Sequence, residues 1–519
     1  MRKPMSESMR RGINVLLATV TALAVVFITA GVTLGGMVAP VPAPTSVPAP
    51  PVHIGAGQLT LVCPDAPRLA TDAVGGDIDY DEEFGTQAEQ SATSLQAVVT
   101  GDDDAAPAAV QFAPVGQEAE EVPVTGGLAS VINLQDLPEA SVLTAEPAQQ
   151  TTPLGAATAL SRTDAGDLRS LTAAACQPPS SAQWLVGGAT VPGSSARLVV
   201  TNPGQTPVSA TVAAWGETGP VESGAEVLLA PGESRSVLLE TLSALERVAV
   251  RVTTEGGQVA AAIQDSALSG VVPAGTDMIT PTADPALETT IGPVDISEEE
   301  AQEDAPVLRL VNPAPREATV SVEVLSAQGR QGLAGAEDLV LEPETVTDVS
   351  LSGIGEGPAT VRVTSDEAVT GAIQRTLVGQ AGDLDPGQPV ADRSWLAAQE
   401  PVQRGVLALP GEVVDDVSVA LSNTDSVAQQ VEVTPVAADG ERSAPVTVDL
   451  EPGTSQLLRE LLEEQVSLDE AIALEIAGTG VLATAILQAE SEDGPLLAMI
   501  AITPDAQAAA EVPVRLGAW

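Results

Sequence analysis

Histidine is nearly missing from this chain: His53 is the only one in 519 residues. That scarcity excludes Ser-His-Asp and Cys-His triads, histidine general bases and histidine-ligated zinc from the rest of the sequence. Cysteine is almost as rare. Cys63 and Cys176 are the only two, and no C-x-x-C spacing supports a redox site or a zinc knuckle. Aromatic side chains are confined to four Trp, three Phe and one Tyr. A polysaccharide-cleaving site needs two carboxylates, which are abundant, and sugar-stacking aromatic faces, which are not. No P-loop or Rossmann glycine pattern stands between a strand and a helix. These absences assign no catalytic, cofactor-binding or metal-ligating residue, and they favour a protein that is not an enzyme.

Positive charge is also short. Twenty-one basic residues face 71 acidic ones, for a net charge of −50. Such a field repels phosphate backbones, so no nucleic-acid partner is expected. Its plain use is solubility. One acidic string, Asp77-Ile78-Asp79-Tyr80-Asp81, opens like a calcium loop. The glycine required at position 6 is Glu82 and the glutamate required at position 12 is Ala88, so it reads as a solvated loop.

Uncharged sequence is plentiful at the N-terminus. No charged residue interrupts Ile13 to Val38, and Arg2, Lys3, Arg10 and Arg11 precede it. A spanning helix needs ~20 apolar residues. The basic flank places residues 1–12 in the cytoplasm, 13–38 in the plasma membrane as a single pass, and the rest outside. A cleaved signal peptide, which would leave a secreted protein, is the competing reading. Gly31 and Gly35 form one G-x-x-x-G, too little to mark a helix-pairing face. Residues 39–54 alternate proline with small residues and form an extended stalk. In an oxidising compartment two cysteines suggest a Cys63–Cys176 disulfide.

Aliphatic residues with 46 Gly and 41 Pro favour short strands and tight turns. A threefold repeat organises them. Leu198-Val199-Val200-Thr201-Asn202-Pro203 recurs as Leu308-Arg309-Leu310-Val311-Asn312-Pro313 and as Val419-Ala420-Leu421-Ser422-Asn423-Thr424. Ala230-Pro231-Gly232 recurs around Pro343 and Pro452, and each copy ends on a glutamine, Gln264, Gln374 or Gln488. The period belongs to tandem domains, since solenoid repeats are shorter. Within the first copy, Val208 to Trp215, Ala225 to Leu229, Ser234 to Leu239 and the Val248–Gln264 hairpin read as strands. With an edge strand at Trp184 to Gly187, each copy has the size of an immunoglobulin-like sandwich. The expected fold is mainly β: a β-rich membrane-proximal domain at 55–183, then three tandem immunoglobulin-like β-sandwich repeats at 184–290, 291–394 and 395–519. A helical insertion is expected at Ser455 to Glu470. The acidic run Ser297 to Asp304 reads as a solvated linker.

The layout resembles actinobacterial membrane-anchored or secreted proteins that carry a large domain of unknown function, often encoded beside a cell-envelope glycosyltransferase. Leu61-Val62-Cys63-Pro64, Ala175-Cys176, Gln183-Trp184-Leu185-Val186-Gly187-Gly188 and Leu198 to Gly204 carry the resemblance. It implies a place in or near the cell envelope and transfers no functional residue. The expected function is a non-catalytic extracytoplasmic scaffold or interaction module, held by one N-terminal helix, with an envelope protein or polysaccharide as partner. The alternatives are a carboxylate-dependent enzyme on envelope polysaccharide and an adhesin or ligand-binding receptor.

Overall fold

Strand alternation is explicit where one face meets water. In Val208–Gly216, Val208, Ala210, Val212 and Ala214 point inward and the residues between them do not. The computed structural model describes residues 56–506 except 70–90, 102–108, 126–128, 137–138, 148–150, 299, 301–304, 382–384, 412 and 463–469, together with 12, 16–27, 52–53 and 511–512. The chain forms two units, one of Met1–His53 with Glu511–Trp519 and one of Ile54–Ala510. In the smaller unit residues 16–27 are helical, and Val52–His53 pairs antiparallel with Glu511–Val512. No helix among the described residues is long and apolar enough to cross a membrane. Residues 28–38 of the expected anchor lie outside the described residues, as do the acidic string at 77–85 and most of the stalk.

The larger unit is mainly β, in several sheets. From Ala182 the strands form two antiparallel sheets. One runs Ala182–Val186, Ala249–Glu255, Val208–Gly216, Ala225–Leu229 in spatial order. The other runs Glu233–Leu238, Ser194–Asn202, Ala260–Ser269, Val272–Ile279. Leu185, Val212 and Val250 of the first meet Leu198, Val200 and Ile263 of the second in one core. The strand bounds agree closely with the sequence reading of this copy. The same order recurs from Ala286 and from Val402. There the two strands either side of the Glu255 turn are fused, as Gly357–Ala381 and Ala471–Ser491. Each long strand leaves one sheet and continues in the other.

Residues 59–175 repeat this plan a fourth time. One sheet is ordered Leu59–Cys63, Ser141–Ala145, Val110–Pro114, Glu120–Val122. The other is ordered Ser170–Ala175, Leu154–Thr163, Ser91–Thr100, Ala129–Gln135. Each strand holds the place of its counterpart in chain order. The copies are called I (59–175), II (182–279), III (286–397) and IV (402–501). Cys63 ends the first strand of copy I, Cys176 follows its last, and the two are joined in a buried disulfide.

The copies close on each other. Val311 and Trp395 of copy III enter the core of copy II. Met499 of copy IV enters that of copy III. Leu171 and Ala173 of copy I join the core of copy IV, and Ala174 packs on Ala262 and Met278 of copy II. The first copy thus touches the last, which makes a closed ring.

The repeated asparagines explain their own spacing. Asn202 Nδ2 donates to Thr206 O at 2.8 Å and Ala230 O at 2.9 Å, while Oδ1 accepts from Gly204 N at 2.9 Å. Asn312 and Asn423 make the same three kinds of bond. One buried amide therefore ties its own turn to the proline turn of the same copy, at Pro231, Pro343 or Pro452. Asn312→Ala leaves those carbonyls and the Ala314 N–H unpaired, which should cost about 1–3 kcal/mol in urea unfolding. An unchanged midpoint would contradict this role.

Two local readings are corrected. Ser455–Leu457 is a strand paired with Ala420–Ser422, and the helix is only Leu458–Leu461. The remainder of the expected insertion, 463–469, lies outside the described residues. In the acidic run, Glu300 is buried and forms a two-pronged pair with Arg375 at 2.7 and 2.9 Å. A charge run that reads as solvated thus contributes one internal ion pair.

Candidate functional site

Two places gather polar side chains in the larger unit. The first is the axis of the ring. The last strand of every copy, at Ser170–Ala175, Val272–Ile279, Pro389–Ala397 and Gly494–Ala501, pairs along one edge with the strand before it. The other edge turns toward the neighbouring copies, where water is excluded. Its N–H groups need partners that no ladder provides. Side chains supply them. Asp392 Oδ2 accepts from Leu171 N of copy I at 3.0 Å and from Leu497 N of copy IV at 2.9 Å. Asp277 of copy II accepts from Trp395 N of copy III. Ser394 Oγ accepts from Met499 N at 3.1 Å.

Charge balance is partial. Asp265 accepts from Arg393 at 2.7 Å and from Trp395 Nε1 at 2.9 Å. Buried Arg169 donates to Ser491 Oγ at 2.8 Å and Gly494 O at 2.7 Å. Burial pushes the Asp277 carboxyl up to about 8, against the pull of the Trp395 and Met278 N–H groups. Burial likewise pushes Asp392 up to about 7, opposed by the Leu497 and Leu171 N–H groups and then by Arg169. Burial also lowers the Arg169 guanidinium. Such shifts mark functional sites in many proteins. Here Asp265, Asp277 and Asp392 are at most 1% exposed, so no substrate reaches them. They are joints of the ring.

The second place is an open cleft of about 640 Å³ between copies I and II. Its floor is the outer face of the copy I sheet that begins with Leu59–Cys63. Thr60, Thr144 and Gln111 form one row across three strands, and Val142 and Ala113 lie in the next. Its far wall is the pair of copy II turns that Asn202 holds together, Pro203-Gly204-Gln205 and Pro231-Gly232. Gly116 and Gly232 close one end backbone to backbone. Both have positive φ, and a Cβ on Gly116 would stand 2.6 Å from the Gly232 carbonyl oxygen. Among the described residues, none that lines the cleft is charged. The lining therefore offers no general acid, general base or metal ligand, and among the described residues no cluster of three His, Cys, Asp or Glu could hold a metal ion.

Of the residues singled out in the sequence, the cysteines meet, and Asn202 sets the cleft wall. Gln264 is buried and bridges copies, accepting from Arg197 at 2.7 Å and donating to Arg68 O at 3.0 Å. Gln374 is half-buried and Gln488 exposed. His53 lies in the short strand of the smaller unit. The sequence reading missed Arg169, Asp265, Asp277 and Asp392. For the three carboxylates the one available signal was a charge inside a strand with no alternating polar face, as in Ile263-Gln264-Asp265-Ser266, whereas Arg169 stands just before the strand Ser170–Ala175.

A model of a family of unknown function (DUF5719) matches residues 131–459, from within copy I to within copy IV. No curated protein matches the chain.

Proposed function

The chain belongs to the DUF5719 family, whose function is unknown, and from that premise we propose that it is a non-catalytic, membrane-anchored scaffold outside the cytoplasm, of an actinobacterial cell envelope. In this reading residues 13–38 hold the chain in the membrane, and the four copies are immunoglobulin-like modules of a ring that presents loops and clefts to partners. The observation that carries it is the buried Cys63–Cys176 disulfide, a bond that persists in oxidising compartments. The apolar N-terminal run behind four basic residues supports the topology. The uncharged side chains of the described cleft lining and the burial of the perturbed carboxylates support a non-catalytic role.

The test is a C-terminal epitope on the full chain in intact cells. Added protease should remove the epitope while an N-terminal fragment stays in the membrane fraction. An epitope protected until the cells are lysed would sink the topology. A mature N-terminus near residue 40 would replace the anchor with a released protein.

A further inference from the structure

The geometry points to the cleft between copies I and II as a binding site for a neutral, hydroxyl-rich glycan chain. The inference deepens the scaffold reading by naming a ligand class, and its test does not depend on where the chain resides.

Charge selects the ligand first. Charged residues make up 18% of the chain, yet among the described residues none lines the cleft. The surrounding field, from a net charge of −50, repels anionic polymers. A cationic ligand would find no carboxylate in the lining to pair with. A neutral ligand meets neither penalty.

Hydrogen-bonding capacity selects next. Five glutamines line the cleft: Gln58, Gln111, Gln117, Gln205 and Gln258. Gln58 is engaged by Glu146, and Gln117 by Glu139. Gln111, Gln205 and Gln258 are exposed and have no side-chain partner among the described residues. Each free amide offers two donors and an acceptor, and the Thr60 and Thr144 hydroxyls can do either. That mixture matches sugar hydroxyls, which also donate and accept.

An extended peptide fits less well. The cleft floor is a sheet face whose central strand, Ser141–Ala145, is paired on both edges. It offers no free ladder for strand addition. The lining also lacks an aromatic or large aliphatic pocket that could anchor a side chain. The volume lies within the range of small-ligand sites, enough for a short stretch of chain. Without an aromatic platform the affinity is modest.

The experiment is native affinity electrophoresis of the full chain in mild detergent. Gels carry dextran, mannan or laminarin as neutral probes, or polygalacturonate as an anionic one. At least one neutral glycan should retard the protein and polygalacturonate should not. Gln111→Ala with Gln258→Ala should raise the apparent Kd roughly tenfold. Gln430→Ala, on an exposed strand face of copy IV, should leave it unchanged. Both changed residues are exposed, and matching thermal unfolding curves would establish that the variants fold. No retardation by any neutral glycan overturns the proposal. So does retardation that the double variant leaves intact, or retention by polygalacturonate alone. Binding of a neutral Gly-Ser-Thr peptide without retention by any glycan assigns the cleft to peptide and overturns it as well. A protein that binds glycan but fails the protease test would keep this site and lose the scaffold's location.

Discussion

Replacing both cysteines, as C63A/C176A, should lower the free energy of opening copy I by about 4–5 kcal/mol. The bond spans 113 residues of sequence. In the chain-entropy model a loop of that size removes about 4.7 kcal/mol of freedom from the unfolded state. The placement adds to the effect. Cys63 and Cys176 staple the first strand of copy I to the end of its last. Beside the bond, Val62 and Gln177 exchange backbone hydrogen bonds at 2.8 and 2.9 Å. Alanine is the better probe because a serine hydroxyl at either fully buried position would add its own unpaired cost. The trace to follow is hydrogen exchange of Ser91–Thr100 and Leu154–Thr163, because no tryptophan lies in copy I. Unchanged exchange in these strands would mean that the ring contacts, and not the disulfide, hold copy I. Because copy I meets copies II and IV, its opening should also loosen Ala174 against Ala262 and Leu171 within the copy IV core.

Copies II to IV are readable from the chain because each carries an Asn that reaches forward to its own proline turn. The bond holds the spacing, and the spacing is what a reader sees. Copy I folds to the same plan without that device. Its corresponding strand ends Thr100-Gly101, and Thr100 Oγ1 reaches only Leu154 O within its own sheet. Long insertions around it blur the period further. A fold can thus persist where its sequence landmarks have been replaced, because core burial depends on pattern more than on identity. Copy IV shows a different failure. Leu457, Leu458, Leu461 and Leu462 have helical spacing, yet Ser455–Leu457 is held as a strand by Ala420–Ser422. Sheet completion outweighs a local preference worth only tenths of a kcal/mol per residue.

The cleft was legible only in half. Its copy II wall is built from the repeat's own turn landmarks. Its floor belongs to the copy whose kinship left no motif. The ring axis was not legible at all. The last strands are buried on both faces, so they carry no alternation from which direction or partner could be read. That Asp392 serves copies I and IV at once follows from closure of the ring, which no local pattern encodes.

That closure has a consequence for pH. Folding stability should fall on the order of 5 kcal/mol as pH rises from about 4 to about 8. Asp277 titrates near 8 in the fold against 3.8 when free, and Asp392 near 7 against the same value. Both are raised, so the folded state binds their protons more tightly than the unfolded chain does. Their contribution is complete below the unfolded value and is lost as pH passes the folded one. At 1.36 kcal/mol per pH unit, either shift is worth roughly 4–5 kcal/mol, and because the Asp392 charge is itself one cause of the Asp277 shift the two are not summed. The Arg169 guanidinium and the Arg393 backbone N–H favour the ionised form of Asp392, but burial weakens Arg169. The general repulsion of a chain with 71 acidic residues acts in the same direction, so wild-type unfolding at several pH values does not by itself identify the axis. The double variant D277N/D392N does. Asparagine keeps a carbonyl oxygen to accept the Trp395, Leu171 and Leu497 N–H groups and never ionises. Its stability should change less with pH than the wild type's, with the curves running together below about pH 4 and separating up to about pH 8. Parallel curves would show that the axis carboxyls titrate in the fold as they do in the unfolded chain, so that at neutral pH the ring is held by charge pairs instead of by carboxyls kept neutral.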